Sequence, residues 1–154
     1  MSNFRVLRPC PKPDSAENSA ERVPRVRILV ADDNTEILDR VSAILQSDYD
    51  VIGKVADGDL VCGRVASQRP DVVVLDISMR EHCGLEIARR LREQGYPGAI
   101  IFLTVHEDPE YVTAAIGAGA RGYVIKSRMS NDLGPAVIAS LSRRIFISAP
   151  LMQE

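Results

Sequence analysis

Tryptophan is absent from these 154 residues, and aromatic side chains make up only 5% of them. Any core must therefore be assembled from aliphatic side chains rather than from large rings. Cysteine is scarce: Cys10, Cys62 and Cys83 are odd in number, widely spaced and form no CxxC pair. That excludes a secreted disulfide framework and predicts a reducing, cytoplasmic setting. No apolar run approaches the roughly 20 residues that a membrane-spanning helix needs, and the first residues lack the apolar centre of a signal peptide. Nor does one sign of charge dominate. Nineteen Lys and Arg against 21 Asp and Glu leave a net charge of -2, which gives no electrostatic basis for binding nucleic acid or a membrane surface. What is present is an ordinary globular composition, 45% hydrophobic and 26% charged, of a length suited to one domain with tails.

Residues 1–24 read as a disordered N-terminal tail. Pro9, Pro11, Pro13 and Pro24 interrupt them, and no helix or strand period emerges. From residue 25 to 143 strand and helix alternate. Aliphatic runs predict strands at 26–31, about 50–56, 71–76, 99–104 and 121–125. Between them, Ile37, Leu38, Val41, Ile44 and Leu45 recur on one helical face, with Asn34 or Thr35 as the cap. Further helices are predicted over about 59–68, 85–94, from Pro109 to about Gly119, and over about 131–143. Residues 144–154 read as a C-terminal tail or the start of a linker, in which 144–148 can pack as an extended segment. Five strands alternating with helices predict an α/β fold with a parallel, doubly wound sheet, and right-handed crossovers favour the flavodoxin-like order 2-1-3-4-5.

The strand ends carry the chemistry. Val72-Val73-Val74-Leu75 stops at Asp76, Ile28-Leu29-Val30-Ala31 runs into Asp32-Asp33, Ile100-Ile101-Phe102-Leu103 ends at Thr104, and Tyr123-Val124-Ile125 delivers Lys126. In a parallel sheet these groups converge on one edge, where open α/β sheets hold their ligands. Clustered carboxylates repel one another unless a cation joins them or a pKa rises. Mg²⁺ suits such a site: it takes one or two carboxylates, keeps waters and accepts a phosphoryl oxygen. Asp76 is then a candidate nucleophile for phosphoryl transfer, with Thr104 and Lys126 to hold phosphoryl oxygens.

These elements resemble the receiver domain of bacterial two-component response regulators. The motifs are Val30-Ala31-Asp32-Asp33, Leu75-Asp76-Ile77-Ser78-Met79 followed by Gly84, the strand-end Thr104, and Ala118-Gly119-Ala120-Arg121-Gly122-Tyr123-Val124-Ile125-Lys126. The likeness covers about residues 25–145. The Gly-Tyr-Val-Ile-Lys-Ser wording and the trailing Arg144-Ile145-Phe146-Ile147-Ser148 are most similar to receivers that precede a LuxR-type helix-turn-helix. The resemblance implies that Asp76 takes a phosphoryl group from a histidine kinase or histidine phosphotransfer protein. It implies Mg²⁺ on Asp33, Asp76 and the Ser78 carbonyl, with Asp32 acting through water, and a switch pair of Thr104 and Tyr123. The output would be contact with another protein or with a second copy, and no nucleic acid would bind to this chain alone. The alternative is that the chain is the receiver part of a DNA-binding regulator whose helix-turn-helix lies outside it.

Three departures from the family pattern carry expectations. Arg80 stands where proline is frequent, which predicts a more mobile and more positive loop. Val105 is bulkier than the usual small residue and is expected to shield the acyl phosphate. Gly134-Pro135 predicts a last helix that begins late or bends. A haloacid dehalogenase-type phosphohydrolase would need an acid where Ser78 stands, and a flavin carrier would need a Ser/Thr-rich loop where Asp32-Asp33 would repel its phosphate.

Overall fold

The third strand shows why the sheet forms where it does. Val72–Asp76 is buried at every position, as expected of a central parallel strand covered on both faces. A computed structural model of the protein describes residues 25–148, so the expected N-terminal tail and residues 149–154 lie outside the described residues. Along the chain, β1 (Arg27–Ala31), α1 (Thr35–Leu45), β2 (Asp50–Val55), α2 (Val61–Gln68) and β3 (Val72–Asp76) come first. A small hairpin of β4 (Ser78–Met79) and β5 (His82–Cys83) follows, then α3 (Gly84–Glu93), β6 (Ala99–Thr104), α4 (Pro109–Gly117), β7 (Gly122–Ile125), α5 (Met129–Leu141) and β8 (Phe146–Ile147).

The main sheet has the order β2-β1-β3-β6-β7-β8, and every pairing in it is parallel. The first five strands give the expected 2-1-3-4-5 arrangement. The short β8 extends the sheet beyond β7, so the expected extended segment at 144–148 is partly a sixth strand. Alternation sorts the apolar residues onto two faces. Leu29, Val73, Leu75, Ile100, Phe102 and Tyr123 pack with Val61, Val65, Ile87, Leu91 and Ala115 of α2, α3 and α4. Ile28, Val30, Val72, Val74, Ile101, Leu103 and Val124 pack with Leu38, Val41, Leu45, Leu133 and Val137 of α1 and α5.

Two local expectations are settled by the caps and the last helix. Asn34, not Thr35, caps α1: its Oδ1 accepts from the backbone N–H of Glu36 and Ile37. The helix α5 does not begin late. It runs unbroken from Met129 with Pro135 inside it. A proline there removes the bond to the Asn131 carbonyl, but Asn131 and Pro135 both face solvent, so water can take the freed acceptor.

Candidate acidic site at the strand ends

Register brings the acids together. Ala31 pairs with Leu75, so Asp32 falls level with Asp76, which itself pairs with Leu103. One step further along, Thr104 pairs with Ile125, immediately before Lys126. The sequence-predicted groups therefore do meet at one sheet edge. Carboxylate oxygens of Asp32, Asp33 and Asp76 lie within 4.8 Å of one another. Asp32 is 1% and Asp76 4% exposed, so the acids are close, like-charged and largely dry.

Lys126 answers part of that charge. Its Nζ lies 2.9 Å from Asp32 Oδ2 and 3.5 Å from Asp76 Oδ2. The contact to Asp32 lacks hydrogen-bond alignment, so this buried oxygen has no hydrogen-bond donor among the described residues. The other Asp32 oxygen accepts from the Asn34 N–H at 2.8 Å. Burial pushes the Asp76 carboxyl up to about 6, the Asp32 charge adds to this, and Lys126 and the Ser78 N–H oppose it. Three clustered carboxylates, two of them buried and served by a single ammonium, form the oxygen-rich set that a hard divalent cation requires. Mg²⁺ therefore fits the residues present.

The loop after Asp76 contains regular structure that its sequence did not announce. Ser78 and Met79 pair with Cys83 and His82 in an antiparallel hairpin. The Arg80 backbone N–H, at the tip, donates to Asp33 Oδ2 at 2.9 Å. Arg80 itself has φ +23°, a conformation a non-glycine residue adopts rarely. The hairpin thus holds Asp33 through its main chain, while the Arg80 guanidinium stands 3.8 Å away.

Sequence reasoning missed how His106 ties the site together. Its Nε2 is 2.9 Å from Ser78 Oγ, and its ring stacks on Tyr111 with centroids 4.1 Å apart. Its N–H donates to Thr104 Oγ1, and its carbonyl accepts from the Tyr123 hydroxyl at 2.8 Å. Thr104 and Tyr123, both fully buried, therefore grip one residue from its two main-chain sides. Burial also pushes the Tyr123 phenol up. Only tertiary proximity reveals this arrangement, since Ser78 and His106 share no periodic spacing. Val105, expected to shield the site, is 66% exposed; the side chain that crosses to Ser78 belongs to its neighbour.

Two clefts flank this geometry. One of about 350 Å³ borders the site, with Asp33, Asp57, Asp59, Arg80 and His82 in its wall. His82 Nε2 pairs there with Asp59 at 3.1 Å. Another of about 680 Å³ opens at the opposite sheet edge around Arg69, Tyr96 and Arg121 and contains none of the acid-site residues. Among the described residues no helix is long and apolar enough to cross a membrane.

Comparison with known proteins agrees with the geometry. Residues 28–138 match the response regulator receiver domain. The chain is 31% identical over 131 residues to the transcriptional regulatory protein DesR of Bacillus subtilis, a match covering 84% of this chain and 65% of DesR. It is 39% identical over 116 residues to a protein-glutamate methylesterase/protein-glutamine glutaminase of Nocardioides, covering 73% of this chain and 32% of that protein. The chain therefore spans less than two thirds of either curated relative. Among solved structures, a LuxR-family two-component response regulator from Aurantimonas superposes with a TM-score of 0.80 at 28% identity, covering 85% of this chain and 95% of that one. With the sheet order, the clustered acids and the lysine between them, these matches make the chain a member of the response regulator receiver family of two-component systems.

Proposed function

We propose that Asp76 is the phosphoacceptor of this receiver and that its phosphoryl donor is a histidine kinase or a histidine phosphotransfer protein. One observation carries the assignment: Asp76 ends the central strand β3, between the Asp32 that follows β1 and the Thr104 that ends β6, with the Lys126 ammonium 3.5 Å away. In the transfer, an Asp76 carboxylate oxygen bonds to phosphorus and the phosphorus–nitrogen bond of the donor imidazole breaks. The electron pair returns to the imidazole nitrogen. A carboxyl with its pKa near 6 is mostly ionised at neutral pH, so the nucleophile is available.

Mg²⁺ would be held by Asp33, Asp76 and the Ser78 carbonyl, with Asp32 acting through water, and when bound it supplies neutralising charge to the phosphoryl oxygens. Lys126 and the Thr104 hydroxyl are the chain's own donors to those oxygens. Thr104, His106 and Tyr123 form the switch. A pull on the Thr104 hydroxyl disturbs the His106 N–H bond, and the His106 carbonyl holds the Tyr123 ring inward. Buried packing of this kind passes between discrete arrangements rather than deforming smoothly.

The output is proposed to be association with another protein or with a second copy. A second reading, a receiver feeding a DNA-binding domain, is favoured by one observation: the match to the transcriptional regulator DesR covers 65% of that protein. The methylesterase relative carries an enzymatic activity in its own name, so a receiver of this kind can accompany either output.

The test is incubation with Mg²⁺ and acetyl phosphate, followed by intact-mass measurement. Wild type should gain one phosphoryl group, and Asp76→Asn should gain none. A labelled Asp76→Asn protein would move the acceptor elsewhere.

A further inference from the structure

The segment that follows α5 returns to the site. Phe146 N–H donates to the Arg121 carbonyl and Ser148 N–H to the Tyr123 carbonyl, each at 2.9 Å. The strand β8 reaches only Gly122 and Tyr123 of β7, so Ile125 lies beyond its end. There the Ser148 side chain replaces a strand carbonyl: its Oγ accepts from the Ile125 N–H at 3.0 Å. The same hydroxyl donates to Asp132 Oδ2 at 2.8 Å. Ser148 is 0% and Asp132 5% exposed.

Asp132 is bound from a second side. Arg128 donates to its two oxygens at 2.9 and 3.3 Å. Ile125 immediately precedes Lys126, and Arg128 ends the single helical turn Lys126–Arg128 that carries it. The residue before the lysine and the residue that closes its turn are therefore fastened to one buried Ser148–Asp132 pair. Ser148 lies outside the stretch that matches the receiver family, which ends at residue 138.

We infer that Ser148 and Asp132 are positioning residues for Lys126, so that the chain's exit segment completes the phosphoacceptor site. The inference rests on the proposed role of Asp76 and Lys126 and extends it to residues beyond the family motif. A buried hydroxyl can satisfy two partners at once because it both donates and accepts. Removing it strands the Ile125 N–H and leaves Asp132 Oδ2 with Arg128 as its one remaining donor, in a dry place where unpaired polar groups are unfavourable. The lysine then loses the fixed backbone that aims it between Asp32 and Asp76. Coupling also runs outward. A change in β7 at Tyr123 is felt directly by the Ser148 N–H, and thus by whatever chain follows residue 148.

The experiment uses the full chain with Ser148→Ala, Ser148→Thr and Asp132→Asn. Acetyl phosphate with Mg²⁺ is the phosphodonor, and amide hydrogen exchange at Ile125 is measured by NMR without phosphodonor. In Ser148→Ala the Ile125 amide should exchange faster. The phosphorylation rate at saturating acetyl phosphate should fall about tenfold, with little change in the half-saturating concentration. Ser148→Thr, which keeps the hydroxyl, should restore both, and Asp132→Asn should move both in the direction of the alanine variant. Wild type loaded with beryllofluoride and Mg²⁺ should show altered exchange at the Ser148 amide, a readout that needs no variant. Wild-type exchange and rate in Ser148→Ala would overturn the inference, as would a rate loss that threonine fails to rescue. Wild type that takes no phosphoryl group at all would instead remove the proposed function, while the Ile125 measurement would still report on positioning.

Discussion

Lys126 Nζ sits closer to Asp32 than to the proposed acceptor Asp76, at 2.9 Å against 3.5 Å. The lysine is shared, and the nearer carboxylate is the one whose second contact is the Asn34 N–H at the start of α1. One ammonium thus holds the first and third strands to the turn after the seventh. Replacing it leaves two buried carboxylates facing one another without their cation. Breaking a buried pair from one side is strongly unfavourable, although Lys126 is 17% exposed and water can enter in its place.

Lys126→Met should therefore lower stability by roughly 2 kcal/mol in metal-free buffer. Millimolar Mg²⁺ should return part of that loss, because a second cation joins the same acids. Thermal melts with and without Mg²⁺ check both statements. A variant that melts like wild type and ignores Mg²⁺ would show that the ammonium is not the counter-charge of this cluster. Phosphorylation by acetyl phosphate should also fall, since Lys126 is a proposed donor to the phosphoryl group.

The raised Asp76 pKa gives a pH dependence with a definite sign. The carboxyl binds its proton more tightly in the folded protein, near 6, than in the unfolded chain, near 4. Between those values the native state holds more protons, so stability falls as pH rises from about 4 through about 6. The difference amounts to roughly 2 to 3 kcal/mol for this group alone. Asp76→Asn should remove that slope and raise the melting temperature at neutral pH in the absence of divalent cations. Urea titrations of both proteins at pH 5 and pH 7.5 make the comparison. A wild type no less stable at the higher pH, relative to the variant, would contradict the assignment.

Residues with a repeating chemical signal are legible in the sequence itself. Buried strands such as Val72–Asp76 announce themselves as aliphatic runs that end in a functional group, and parallel connectivity then brings Asp32, Asp33, Asp76, Thr104 and Lys126 to one edge. The β4–β5 hairpin carried no such signal. It is two residues a side, and its bond from the Arg80 N–H to Asp33 crosses 47 positions of chain. Nothing in the sequence marked His106 as the group bonded to Ser78, Thr104 and Tyr123, because that role depends on how three loops meet. Pro135 misled as to where the helix begins: a rule about helix interiors favoured a late start, but the helix runs from Met129 and solvent at Asn131 makes the missing bond tolerable.

Gly84 is held to its size by the acceptor's own backbone. A Cβ built there would collide with the Asp76 carbonyl oxygen and approach the Ile77 Cα to 2.8 Å, and the Gly84 N–H donates to the Ile77 carbonyl. Neither neighbour is a flexible side-chain end that can swing away. Gly84→Ala should cost about 2 kcal/mol or more of stability and should slow phosphorylation, because the displaced segment is the one that carries Asp76. A fully stable, fully active Gly84→Ala protein in a melt and an acetyl phosphate assay would show that the α3 start can retreat.

The lifetime of the acyl phosphate should depend on His106 far more than on Val105. The imidazole spans from the β6–α4 loop to Ser78 Oγ and is backed by the Tyr111 ring, so it stands across the approach to the acceptor edge. Val105 is 66% exposed and has little to exclude. Once Asp76 is phosphorylated, hydrolysis requires a water aligned with the carbonyl–oxygen–phosphorus axis, and a fixed ring across that route lowers the population of such waters. His106→Ala should shorten the half-life several-fold, while Val105→Ala should leave it within a factor of about two. Ser78→Ala, which removes the ring's anchor but keeps the ring, should fall between them. Decay of label from purified phosphoprotein after donor removal measures all three. A longer half-life in His106→Ala would reject shielding and would mean that the imidazole helps to bring in the attacking water.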